Sequence, residues 1–177
     1  MTIEADVRYL LDRLAIQDVL ALYAAGQDDF QGAHFEGTAA TWARVFTDDA
    51  IVDYSAGGCE PAPWRDMLAW MRGSSDKTGV MTAAFDRWQH MLGLPIVTID
   101  GDTATARHDL LATHTSIDQS DGGYHFYDAC TFVDQLVRTT DGWRIRHRKL
   151  SIHWAGALQV RINAFQPDPL PADRGTA

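Results

Sequence analysis

The chain has 177 residues, 46% hydrophobic and 22% charged, with 14 Gly and 6 Pro, a globular composition that excludes wholesale disorder, collagen-like repeats and a coiled coil. One domain of this length buries roughly 70% of its unfolded surface, enough for a core without staples. The net charge of −9 argues against nucleic acid or an anionic membrane as partner, because phosphate binders need a basic face. The one dense basic stretch, Arg144–Ile145–Arg146–His147–Arg148–Lys149, is too short to reverse that sign. Cys59 and Cys130 form neither metal-ligand spacing nor a disulfide framework. With no signal-peptide pattern and no apolar run near 18 residues, a soluble cytoplasmic protein is expected.

Val7, Leu10, Leu11 and Leu14 repeat at helical spacing and Ile16, Val19, Leu20 and Tyr23 continue the stripe. The chain therefore opens with a long helix, stopped at Gly26, and Gln27–Gly37 reads as loop. Thr38 is a good N-cap for a second helix carrying Trp42, Val45 and Phe46 on one face. Asp48–Asp49 end it, and Ala50–Tyr54 follows as a short strand. Pro61 and Pro63 open a third helix with Trp64, Met67, Leu68 and Met71 on one face, closed by Gly73–Ser74–Ser75. Val80–Trp88 reads as one or two further helical turns.

From His90 the period changes to that of strands: Met91–Ile99, a hairpin at Asp100–Gly101–Asp102, then Ala104–Thr115. A turn at Gln119–Gly123 leads to Tyr124–Arg138, and a turn at Thr139–Gly142 to Trp143–Trp154. Pro167, Pro169 and Pro171 mark a tail, so the expected organisation is one domain over 1–160 followed by a tail at 161–177. Helices first and then an antiparallel meander predict an α+β fold. Its simplest packing is one curved sheet wrapped around the N-terminal helices, with a pocket between them.

Several catalytic machines are absent: no Gly-rich phosphate loop, no G-x-G-x-x-G, no G-x-S-x-G and no H-E-x-x-H. No cofactor is expected. His108 and His114 share a strand face, but six residues at ~3.3 Å each separate them by roughly 20 Å, and the same holds for His147 and His153. No metal site is expected, although histidines on different strands could pair.

Tyr23 and Asp28 sit at and just past the end of the long helix, where side chains can reach a cavity mouth. The plain alternatives are a core tyrosine and a solvated loop acid. His90 begins the sheet after Phe85 and Trp88. A histidine among apolar groups suits a general base, and a carboxylate can orient it; the alternative is a hydrogen-bonded core histidine. His114 lies among small and apolar residues with the same two readings, while His34 reads as exposed loop. The six tryptophans, Trp42 among them, fit a core or a cavity for a flat apolar ligand. Arg144, Arg146 and Arg148 alternate onto one strand face, with Arg148 either a surface ion-pair partner or a group for an anionic or carbonyl ligand.

These residues resemble a known family. Leu22–Tyr23, Asp28 and Trp42–x3–Phe46–Thr47–Asp48–Asp49–Ala50 resemble the opening of SnoaL-like proteins of the nuclear transport factor 2-like superfamily. His90–Met91–Leu92–Gly93 with Ile96–Asp102 and Ala104 resembles its central hairpin, and Val137–Arg148 its closing strands. The resemblance runs from about Asp6 to Trp154. It implies a cone of helices in a strongly curved antiparallel sheet, a deep pocket and frequent homodimers formed through the sheet.

The branch with Tyr, Asp and His in these positions is similar to scytalone dehydratase, bile-acid dehydratase and hexachlorocyclohexane dehydrochlorinase. It implies a cofactor-independent lyase or isomerase acting on a hydrophobic, cyclic, oxygenated molecule. His90 would be the base, Asp28 its orienting partner, and Tyr23 and His114 the hydrogen-bond donors. Trp42, Arg148 and Phe132 are expected against the substrate. Two departures stand out: Asp29 follows Asp28, so either acid could pair with His90, and Phe132 occupies a position where many relatives carry Tyr. A polyketide-type cyclase and a non-catalytic ligand-binding or dimerising module are the alternatives. An epoxide hydrolase would need paired carboxylates in the pocket, and an oxygenase small subunit would need a large partner.

Overall fold

The structure, a computed structural model, describes residues 2–31, 35–74, 77–118 and 123–159. His34, Ser75, most of the predicted turn at 119–123 and the 161–177 tail lie outside the described residues. Four helices are described: α1 (Ile3–Asp28), α2 (Phe35–Trp42), α3 (Trp64–Arg72) and α4 (Val80–Ala84). The strands are β1 (Phe46–Tyr54), β2 (Cys59–Pro63), β3 (Gly73–Ser74), β4 (Lys77–Thr78), β5 (Phe85–Leu92), β6 (Ile96–Asp100), β7 (Thr103–Ser116), β8 (Tyr124–Thr139) and β9 (Gly142–Gln159).

Seven strands form one curved sheet in the order β2-β1-β9-β8-β7-β5, with β6 beside the first half of β7. All its pairings are antiparallel except β1 with β9. The architecture is an α+β cone, its inner face closed on one side by α1, α2 and α3. No described helix is long and apolar enough to cross a membrane.

Several elements differ from the sequence expectation. Gly26 does not stop α1, which continues through Gln27 to Asp28. A Cβ at Gly26 would lie 2.8 Å from the Trp42 ring, so this glycine serves the close approach of α2 and not helix termination. The apolar stripe also divides. Ile16, Leu20 and Tyr23 are buried, whereas Val7, Leu10, Leu11 and Leu14 are exposed.

β1 begins at Phe46, four residues before the predicted strand, and Cys59–Pro63 is a strand paired with it. The helical reading of Val80–Trp88 holds only to Ala84. Phe85–Leu92 is strand because its backbone pairs with β7 from Ser116 to Leu110. The predicted strand Met91–Ile99 breaks at Gly93, whose N–H bonds the Asp109 carbonyl, and at Pro95, which has no N–H to donate.

Aromatic rings fill the cone: Tyr23 stacks on Trp42 at 4.7 Å between centroids, and Phe46 stacks on Trp64 at 5.6 Å. A β-bulge reorganises the basic strand. Leu136 faces Ile145 but Gln135 faces His147, an extra residue on β9, so the alternation slips by one. Arg148 therefore leaves the face of Arg144 and Arg146 and turns inward with Trp143 and Ile145, fully buried.

There Arg148 makes a bidentate pair with buried Asp134, at 2.6 Å from Nε to Oδ1 and 2.7 Å from Nη2 to Oδ2. Its guanidinium lies 4.1 Å from the Tyr23 ring centre and 4.2 Å from that of Phe132. Burial alone would raise the Asp134 carboxyl, but the Arg148 charge and hydrogen bonds outweigh it and hold the group below its ordinary value.

Asp134→Ala is expected to destabilise the fold by about 3–5 kcal/mol, because it strands a buried guanidinium. Urea unfolding at neutral pH measures this. A loss within the range of an exposed ion pair, about 1 kcal/mol or less, would contradict the assigned burial.

Candidate active site

The site begins where α1 ends. Because α1 runs past Gly26, Gln27 and Asp28 are helical and face β5, the edge strand of the sheet. Asp28 grips His90 twice: Oδ2 accepts the His90 backbone N–H at 2.8 Å and Oδ1 meets the ring Nδ1 at 2.7 Å. A carboxylate only accepts, so it selects the tautomer with the proton on Nδ1 and leaves Nε2 with its lone pair. Asp29 is the C-cap and is exposed, so among the two acids Asp28 is the one paired.

Neighbouring contacts hold this geometry. Trp88 on β5 donates its indole N–H to the Gln27 carbonyl at 2.7 Å. The Gln31 side-chain amide bonds both the N–H and the C=O of Trp88, each at 2.9 Å. Arg72, at the end of α3, reaches the Gln27 carbonyl and side chain and the Phe30 carbonyl, and its guanidinium lies 4.6 Å from the Trp88 ring centre. Burial pulls the Arg72 guanidinium down to about 10, so it stays cationic at neutral pH.

A cleft lined by Gln27, Met71, Arg72, Met81, Trp88, His90 and His114 opens beside this cluster, with a free volume of about 30 Å³. His114 lies across β7, its ring centre 5.9 Å from that of His90 and nearly perpendicular to it. Burial, with a smaller contribution from His90, lowers the His114 imidazole to about 3. It is a neutral ring at physiological pH, with Nδ1 buried and unpartnered.

The structure thus brings His90 and His114 to one cleft, with Asp28 bonded to His90 from the helix end. The other predicted residues lie deeper. Tyr23 is buried with its hydroxyl 2.6 Å from that of Tyr54, and burial raises its phenol above the ordinary value. Trp42 donates its indole N–H to the Tyr23 carbonyl at 3.0 Å. Phe132 and Arg148 are buried beside Tyr23, and none of these four lines the cleft.

Gln27, Gln31, Arg72 and Asp128 escaped the sequence reading. Two signals were present. Arg72 follows Leu68 by four residues, on the apolar face of α3. Asp128 alternates with Phe126, Cys130 and Phe132, so it faces inward with them. Among the described residues no group of three or more His, Cys, Asp or Glu side chains could hold a metal.

The SnoaL-like domain model matches residues 8–149, most of the chain. The chain belongs to the SnoaL-like family. This SnoaL-like chain is 30% identical over 142 residues to uncharacterized protein Rv2910c of Mycobacterium tuberculosis, covering 80% of the chain and 86% of the relative. The Kfla4162 protein of Kribbella flavida has a similar structure (TM-score 0.68, 28% identity, 84% of this chain and 95% of that one). The fold is also that of the hexachlorocyclohexane dehydrochlorinase LinA-type3 of Novosphingobium barchaimii (TM-score 0.70, 16% identity, 92% and 99%).

The depressed His114 value has a thermodynamic consequence. The folded state keeps the ring neutral while the unfolded chain protonates it below about pH 6.5. Stability is therefore fully present above that pH and falls as pH drops toward the folded value of about 3. Between pH 7 and pH 5, urea unfolding should show wild type losing about 2 kcal/mol more than His114→Gln. Equal losses would mean that His114 takes up no proton on unfolding.

Proposed function

We propose that this chain is a cofactor-independent lyase or isomerase of the dehydratase type, in which His90 removes a proton from a hydrophobic, cyclic, oxygenated small molecule. The observation that carries this reading is the pair of hydrogen bonds by which Asp28 holds His90. It orients the imidazole, directs the lone pair of Nε2 to the cleft, and supplies a negative charge beside the imidazolium that forms when Nε2 takes the proton. His114 and Arg72 flank the same cleft and would stabilise negative charge developing on a carbonyl oxygen. Trp88, Met71 and Met81 supply apolar walls suited to a ring. The fold-level likeness to a dehydrochlorinase supports elimination chemistry on this scaffold.

A free volume of about 30 Å³ has room for about two water molecules. That favours a second reading, a ligand-binding module in which His90 is only a hydrogen-bonded wall. The two differ in proton transfer. Incubation of the protein with bicyclic ketones in deuterated water, followed by mass spectrometry, reports removal of the α-proton.

Wild type is expected to exchange that proton, and His90→Ala to do so about 10²–10⁴-fold more slowly while remaining folded. Asp28→Asn keeps the size of the side chain but removes its charge, and should slow exchange in the same direction. Unchanged exchange in a folded His90→Ala protein would transfer the assignment to the binding module. With β-hydroxy ketones, loss of water against retention of mass separates elimination from a polyketide-type cyclisation by the same pair.

A further inference from the structure

The inner face of the sheet carries a carboxyl group that the base mechanism does not use. His90 on β5 faces Ala112 on β7, Ala112 faces Asp128 on β8, and Asp128 faces Ala155 on β9. Directly paired residues point to the same side of a sheet, so His90 and Asp128 stand on one concave face with only an alanine methyl between them. Two strand spacings separate their backbones by about 10 Å, and the curvature of the cone tilts both side chains inward.

Asp128 is flanked by small side chains, the buried Ala112 on the His90 side and Ala155 on the other. Ala155 and Ala157, which belong to its row and the next, are exposed although they face inward.

Asp128 is poorly served by the protein itself. Oδ2 receives a weak S–H contact from Cys130 at 3.4 Å, and Oδ1 is buried with no hydrogen-bond partner. Burial raises its carboxyl above the ordinary value. A buried carboxylate oxygen without a donor is unfavourable, whereas a protonated carboxyl needs only an acceptor and can take one from a ligand.

Resting on the assignment of His90 as base, we propose that Asp128 is the proton donor to a hydroxyl that leaves the substrate as water. His90 Nε2 takes the α-proton, the C–H electron pair forms the new double bond, and the C–O bond on the neighbouring carbon breaks. The Asp128 proton passes to the departing oxygen, which leaves as water. Imidazolium and carboxylate then remain, and the proton on His90 returns to Asp128 through solvent. Chloride would leave without a proton donor; hydroxide would not.

The test compares a bicyclic β-hydroxy ketone with its β-chloro counterpart in wild type, Asp128→Asn and His90→Ala. Asp128→Asn is expected to lower the ratio of water elimination to chloride elimination at least about 100-fold. His90→Ala should lower both reactions together. An unchanged ratio in Asp128→Asn overturns the assignment of Asp128 while leaving the base intact. Unaffected turnover in His90→Ala overturns the base instead.

Infrared difference spectroscopy of wild type against Asp128→Asn gives a readout independent of turnover. The carbonyl stretch of a protonated carboxyl should appear in wild type at the assay pH, and its absence overturns the proposal.

Discussion

The site depends on how an open sheet edge is closed. β5 is the last strand of the sheet, and an edge strand leaves every second N–H and C=O without a strand partner. Here those groups are met by side chains from the end of α1 and the residues just after it. Gln31 pairs with both backbone groups of Trp88, and Asp28 takes the N–H of His90. The helix terminus acts as a surrogate strand. Because Asp28 also bonds the imidazole of the residue whose backbone it caps, docking the helix and orienting the His90 ring are a single event. The Asp28–His90 pair therefore inherits the rigidity of the helix–sheet contact.

The inner face of the cone is divided into two polar levels by apolar rows. The outer level contains His90, His114 and Asp128. The inner one contains His108, Asp134 and Arg148, with Leu110, Cys130 and Phe132 between them. The inner level is enclosed: Arg148 forks onto Asp134 and packs against aromatic rings, while its Nη1 and both ring nitrogens of His108 are buried without a hydrogen-bond partner. The outer level also has unpartnered atoms, His114 Nδ1 and Asp128 Oδ1, but it borders a cleft. An unpartnered buried group can meet a ligand only where a cleft opens beside it. The contrast separates Tyr23 and Arg148 from His90, although sequence order alone treats them alike.

What could be read from the sequence follows from the range of the forces involved. The α+β order, the hairpin at Asp100–Gly101–Asp102 and the third helix were legible because periodicity and turn residues are local signals. Asp28 and His90 were legible through their resemblance to family positions, and their contact spans 62 residues that no local pattern encodes. The inward turn of Arg148 was not legible, since the alternation that places Arg144, Arg146 and Arg148 together holds only without a bulge. Gly26 misled for a related reason: a glycine inside a helix and one ending it look the same until the partner helix is known. Phe85–Leu92 was misread at its start because spacing at Met81, Ala84, Phe85 and Trp88 satisfies a helix, and only pairing with β7 decides otherwise.

The two carboxylates of the outer level show why residue type alone does not assign chemistry. Asp28 accepts two N–H groups and remains partly in contact with solvent. Asp128 has one thiol contact and a buried oxygen that nothing satisfies. The same side chain is an acceptor held in place in the first case and a group awaiting an acceptor in the second. A 1,2-elimination needs that asymmetry, with one group to receive a proton and another to release one, on either side of the bond that breaks. On this sheet the separation is set by one intervening strand and one methyl group, Ala112. In the proposed elimination the buried Ala112 would therefore set how far apart the two proton transfers occur.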